Sequence, residues 1–291
     1  MSENNKQQSN DLDRRELLKG LATVPVFGLF LSQLWRKIRR DTLKKSNILS
    51  GLVQEKSAPT IIKGLSDSKH LNIGIIGYGG RGGHLVRGAG FATTGWTTTV
   101  AENARKNKLD KQFKTFMDQE DLNCSLVGVC DLFDVRAEQG LDASQNEVRP
   151  GGKPKKTAKR YRHYKDLLAD DNIDAVIIAT PDHWHSRITI DAAKAGKHVY
   201  CEKGLTRTFD ETIEVYDAVK EAGITFQLGH QNRQVEANEK AKQIVQQGLL
   251  GTINLVELTT NRNSPWGAWV WDIHPKGNAQ TIDWDTFQEP A

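Results

Sequence analysis

The segment Leu71-Asn72-Ile73-Gly74-Ile75-Ile76-Gly77-Tyr78-Gly79-Gly80-Arg81-Gly82 runs an apolar strand directly into a glycine cluster, with Gly77, Gly79 and Gly82 in G-x-G-x-x-G spacing. Such a turn is used where a strand must reverse into a helix beside a pyrophosphate. Gly77 permits the tight turn, Gly79 lets backbone amides approach phosphate, and Gly82 lets the helix pack close to the strand. The positive end of that helix would face the phosphates. The same spacing also occurs in loops that bind nothing, so the rest of the chain has to decide.

Beyond the turn, the chain alternates between strand and helix. Residues 125–130 form an apolar run that stops at Asp131, and residues 173–180 form another that stops at Pro181. A helix over 186–195 closes at Gly196, a strand covers 198–202, a helix runs from about 208 to 223, and a strand covers 225–229. The expected helices also include 84–90, 106–119, 164–170 and 237–247. Strands alternating with helices require an α/β fold, a Rossmann-type parallel sheet with helices on both faces. Residues 252–261 differ, because apolar and polar positions alternate as in a half-exposed strand. The domain reading is 1–40 export signal or membrane anchor, 41–69 linker, 70–229 nucleotide domain and 230–291 the beginning of a C-terminal domain.

Charge removes one class of partner. The net +4 comes from residues 1–50, with ten Lys/Arg against five Asp/Glu, leaving 30 basic and 31 acidic residues beyond them. A near-neutral globular part gives no support to nucleic-acid binding. Residues 151–163 are basic and read as a solvated loop. The leader places Arg14 and Arg15 ahead of an apolar run from 20 to 34, which is signal-peptide length and short for a membrane span. It resembles a bacterial twin-arginine export signal. The expectation is periplasmic, or anchored on the periplasmic face through this segment, and cytoplasmic if the signal does not function.

Cys124, Cys130 and Cys201 have neither metal-ligand spacing nor an even count, so no zinc site or disulfide framework is expected. His183 and His185 could face one side as a pair but find no third ligand, so no metal is expected there.

An acid closing the second strand is what a dinucleotide site uses for ribose hydroxyls, and Asp131 stands there, although it would suit an ordinary strand end as well. About thirty residues are inserted between Gly82 and Asp131 relative to the usual gap of about twenty. A carboxylate at this point repels the extra phosphate of NADP and favours NAD, with NADP open if Arg136 turns towards the site. Two further loops lie at strand ends where ligands bind in an open parallel sheet. They are Ala179-Thr180-Pro181-Asp182-His183-Trp184-His185 and Glu202-Lys203-Gly204-Leu205-Thr206.

With the glycine turn and Val129-Cys130-Asp131, these loops make residues 70–291 resemble the Gfo/Idh/MocA family of NAD(P)-dependent oxidoreductases, which act mainly on sugars and cyclitols. The resemblance implies cofactor contacts from Gly77, Tyr78, Gly79, Gly80, Arg81, Gly82, Asp131, Thr180, Pro181, His183, His185, Glu202 and Lys203. It also implies that Lys203 is the catalytic lysine of a glutamate-lysine-proline motif, lying near the nicotinamide and the reacting hydroxyl. A cation beside an oxygen that gains negative charge lowers the barrier to hydride transfer.

Gly204 stands where the family has proline, and glycine is expected to loosen the lysine's placement. Asn232 and Arg233 suit either a polar substrate or an interdomain salt bridge. The family's distal aspartate and histidine have no assignable counterpart, so the resemblance implies that residues 230–291 are the start of an incomplete α+β substrate domain, in either a fragment of a longer protein or a shortened product with compromised chemistry; a complete C-terminal sheet would offer a surface for pairing two copies. Hydride transfer with a sugar-like alcohol is the leading expectation. The alternatives are an NAD-dependent glycosidase working through transient oxidation, and a nucleotide-binding module without activity, for which the exposed aromatics Trp266, Trp269, Trp271 and Trp284 would speak.

Overall fold

The computed structural model describes residues 70–145, 157–233, 235–258 and 272–289, together with Leu34, Trp35, Lys37 and Ile38 of the leader. Residues 1–63 form a unit of their own, of which those four described residues are helical and exposed. Arg14, Arg15 and the linker lie outside the described residues, as do Trp266, Trp269 and Trp271.

Six parallel strands form one sheet: β1 (Leu71–Ile76), β2 (Cys124–Cys130), β3 (Lys159–Tyr161), β4 (Ala175–Ile178), β5 (His198–Glu202) and β6 (Phe226–Gly229). Their order is β3-β2-β1-β4-β5-β6, the doubly wound arrangement in which chain order reverses between β1 and β4. The register aligns the strand ends, with Ile76 opposite both Cys130 and Ile178. Three functional loops therefore leave the sheet side by side.

Burial on both faces explains why these strands read as continuous apolar runs. Ile75 and Val129 point into one layer with Val86, Phe91 and Leu126. Their neighbours Ile76 and Cys130 point into the other, with Leu167, Val176, Ile178 and Ile188. Alternation along a strand sends consecutive side chains to opposite faces, and each face is roofed by helices. The three cysteines are buried, as small apolar residues would be.

The helices in order are α1 (Gly80–Gly88), α2 (Thr94–Lys106), α3 (Gln112–Met117), α4 (Asp134–Ser144), α5 (Tyr164–Leu168), α6 (His185–Lys194), α7 (Phe209–Ala222), α8 (Glu236–Gln246) and α9 (Trp284–Gln288). Helix α7 has the ends its sequence announces. The Thr208 hydroxyl accepts from Glu211 N–H at 3.2 Å, and Gly223 closes the helix at φ +64°.

Four expectations need correction. Helix α1 starts at Gly80 rather than at 84, because the glycine turn itself supplies its first turn. The 106–119 helix is instead the short α3 preceded by an unexpected α2, and the two pack through Trp96 edge-on to Phe116 at 5.3 Å. Part of the basic loop is edge strand β3, anchored by buried Ala158 and Tyr161. Of the strand expected over 252–261, residues 252–258 form no strand and are exposed, and 259–261 lie outside the described residues; alternation alone does not make a strand when no partner supplies the backbone pairing. Beyond 230, α8 buries none of its residues, whereas 281–287 contact the loops that follow β2 and β4.

Candidate functional site

Gly77 ends β1 at φ +88°, donates its N–H to Cys130 O at 2.8 Å, and has no room for a side chain, since a Cβ would lie 2.8 Å from Ala179 O. A Cβ on Gly82 would collide with the Gly77 carbonyl oxygen, so α1 rests directly on the turn. Gly79 differs from both. A Cβ there meets nothing within 4 Å, and Gly79 caps α1 without any side-chain hydrogen bond. Two glycines pack the turn and the third leaves it open. The first-turn amides of a helix lack intrahelical partners, and this helix carries no acid in its first turn to satisfy them.

Asp131 follows β2 and reaches over the turn. Its Oδ2 accepts from Tyr78 N–H at 2.6 Å and its Oδ1 accepts from Phe133 N–H at 2.8 Å. Burial raises the carboxyl above the usual aspartate range, and the two backbone donors partly oppose that rise. Each oxygen retains acceptor capacity for a hydroxyl.

Gly77, Gly79, Asp131, Thr180 and Pro181 line a single largely apolar cleft over the sheet's switch point. The Thr180 hydroxyl is buried there without a partner. A stranded hydroxyl of this kind costs about 1–3 kcal/mol, which a polar ligand would recover. An open glycine, a carboxylate with acceptor capacity and an orphaned hydroxyl together fit a dinucleotide.

Other expected contacts have different roles in this structure. Tyr78 sends its ring into the core, and only its amide serves the site. Glu202, with a side chain 4% exposed, is held by Arg81 at 2.7 Å and by the Tyr200 hydroxyl at 3.3 Å, so the two expected cofactor ligands bind each other. This ion pair ties the start of α1 to the end of β5. His185 is 1% exposed, with Nε2 2.8 Å from Thr180 O and Nδ1 2.9 Å from Gly204 O. Neither nitrogen faces the cleft; the ring links the loop after β4 to the loop after β5.

The His185 contact also corrects the expected looseness at Gly204. Its carbonyl is held even though proline is absent, and the Lys203–Gly204 peptide is cis. Lys203 is exposed at the end of β5 and does not line the cleft. His183 packs edge-on to Phe287. Asn232 and Arg233 are exposed in a shallow depression beside Asn238 and Lys242, apart from the cleft.

The cleft also includes residues that sequence patterns do not select as ligands. Arg136 lines it, and its guanidinium donates to Gln139 Oε1 at 2.9 Å. Tyr164 and Trp184 form an apolar wall, and Thr286 and Phe287 arrive from the far end of the chain. Only Arg136 carries a sequence signal, its position five residues after Asp131. Among the described residues no group of three His, Cys, Asp or Glu side chains is placed to hold a metal.

Residues 71–230 match the Gfo/Idh/MocA family model, described as an oxidoreductase family with an NAD-binding Rossmann fold. An uncharacterized oxidoreductase, YrbE of Bacillus subtilis, is 39% identical over 102 residues, 35% of this chain and 30% of that protein. Levoglucosan dehydrogenase of Pseudarthrobacter phenanthrenivorans is 41% identical over 90 residues, 31% of this chain and 23% of that enzyme. The crystal structure of myo-inositol 2-dehydrogenase from Lactobacillus plantarum is 28% identical with TM-score 0.45, covering 64% of this chain and 43% of that one. The matches therefore span less than half the length of each of these relatives.

Proposed function

The chain belongs to the Gfo/Idh/MocA oxidoreductase family, and from that membership we propose that it holds NAD in the cleft and exchanges hydride with a secondary alcohol of a sugar or cyclitol. The observation that carries the reading is the convergence of Gly77, Gly79, Asp131, Thr180 and Pro181, from three separate strand ends, on one cleft. When bound, the nicotinamide supplies the hydride acceptor and donor. The glycine turn provides uncapped amides for the pyrophosphate, Asp131 accepts from ribose hydroxyls, and Thr180 offers its free hydroxyl. Lys203 stabilises charge on the reacting oxygen. The names of relatives such as levoglucosan dehydrogenase support a polyhydroxylated substrate.

The test is direct titration of NAD into the chain, followed by spectroscopic detection of reduced cofactor across a panel of sugars and cyclitols. Saturable NAD binding with reduction on at least one of them is expected; absence of NAD binding would refute the reading.

Asp131 makes the binding pH-dependent with a definite sign. Its raised folded-state pKa means that acidification protonates it at a higher pH than an ordinary aspartate. NAD affinity should accordingly fall as pH drops through that raised value, and Asp131→Asn should remove the step. For the empty fold the sign is opposite, because the buried ionised carboxylate costs stability at higher pH and acidification relieves that cost. Calorimetric titrations across the acidic range check the first effect, and thermal unfolding without NAD checks the second.

The arginine pair of the leader supports export of the folded chain to the periplasm. Replacing Arg14 and Arg15 with lysine should retain it in the cytoplasm, as cell fractionation would reveal.

A further inference from the structure

Residues 281–287 run from the loop after β2 to the loop after β4, and Thr286 and Phe287 among them line the cleft. On one side, Asp134 N–H donates to Thr281 O at 2.9 Å, Asp283 N–H donates to Leu132 O at 3.0 Å, and Phe133 and Ile282 form an antiparallel bridge. This attaches the strap to the loop carrying Asp131. The Asp283 carboxylate then starts α9, accepting from Thr286 N–H at 3.1 Å and from its hydroxyl at 2.9 Å. That turn brings Thr286 and Phe287 to the cleft wall. On the other side, Phe287 meets the His183 ring edge-on at 5.9 Å, and Trp184 Nε1–H donates to Phe287 O at 3.4 Å.

The strap therefore joins the loop after β2 to the loop after β4, whose ends flank β1. In a sheet of this order the acid after β2 serves the adenosine ribose, and Phe287 lines the same cleft as Asp131, Arg136 and Tyr164, so this wall belongs to the adenosine half. Resting on the nucleotide reading above, we propose that residues 281–287 form the outer wall of the adenosine subsite, with Phe287 supplying the apolar surface that retains the adenine. The strap is then part of the binding site.

Equilibrium binding of NAD, AMP and nicotinamide mononucleotide to the whole chain and to Phe287→Ala tests this. Loss of an aromatic partner to a base weakens binding by about tenfold. AMP and NAD should each lose about that factor, while nicotinamide mononucleotide is unaffected. Asp283→Ala, an exposed position that only shapes the strap, should weaken AMP in the same direction by about threefold, and it carries the test if Phe287→Ala does not fold. AMP affinity that is unchanged or tighter in the folded variants overturns the strap and leaves the nucleotide site standing. A parent chain that binds neither AMP nor NAD overturns the nucleotide reading, and the strap with it.

Discussion

Lys203→Ala should lower turnover by about 10²–10³-fold while leaving NAD affinity within about twofold, as removal of one group stabilising a developing oxyanion does. The separation arises from the way the lysine is presented. Glu202, immediately before it, is buried against Arg81, and the carbonyl of Gly204, immediately after it, is held by His185. The backbone is fixed on both sides while the side chain itself is exposed and lines no part of the nucleotide cleft. Removing the ammonium should leave the cleft as it was. Arginine at 203 keeps the charge but moves it, and should restore only part of the rate. Steady-state kinetics with parallel NAD titrations separate these outcomes, and an unchanged rate in the alanine variant would sink the assignment.

The features legible in the sequence are those determined by neighbours along the chain. Ile75 and Ile76 enter opposite layers because they are adjacent in a strand covered on both faces, so the run has to be apolar throughout. Thr208 and Gly223 mark α7 through local hydrogen bonding and backbone conformation.

Helix α2 is hidden by its own composition. Thr97, Thr98 and Thr99 are poor helix formers, and each returns its hydroxyl to a preceding carbonyl. Only Thr97 and Val100 are buried, which leaves little of an apolar stripe to detect. Strand β3 is too short to show a period.

The site divides in the same way. The glycines and Asp131 are legible from type and spacing. The attachment of His185 to Gly204 and the placement of Phe287 against His183 arise from folding across 19 and 104 residues, and no local pattern encodes them. Polar residues at strand ends are therefore visible in the sequence, but their type does not separate those that touch the ligand from those that do not. Arg81, Glu202 and His185 hold the loops in place, which is a different requirement from touching what the loops bind.

The glycines themselves provide the sharpest separation between folding and binding. Gly82→Ala should destabilise the empty chain by about 3 kcal/mol, the upper part of the range for overpacking, because the new methyl meets backbone rather than a side chain that can turn away. For a unit of this size that lowers the unfolding midpoint by roughly 6–12 °C.

Gly79→Val should do nearly the reverse. Its φ of −69° suits an ordinary residue and its Cβ enters open space, so the empty fold loses only about 1 kcal/mol from a poorer helix cap. That open space is where the pyrophosphate approaches the turn, and a branched side chain filling it should weaken NAD by on the order of 100-fold. Thermal unfolding without nucleotide and calorimetry with it measure the two effects independently. If Gly79→Val bound NAD normally, the turn would be only a tight junction between β1 and α1; if Gly82→Ala were as stable as the parent, the close contact of helix and turn would be wrong. The two expected results together require one glycine to close the fold and another to keep the site open, three residues apart.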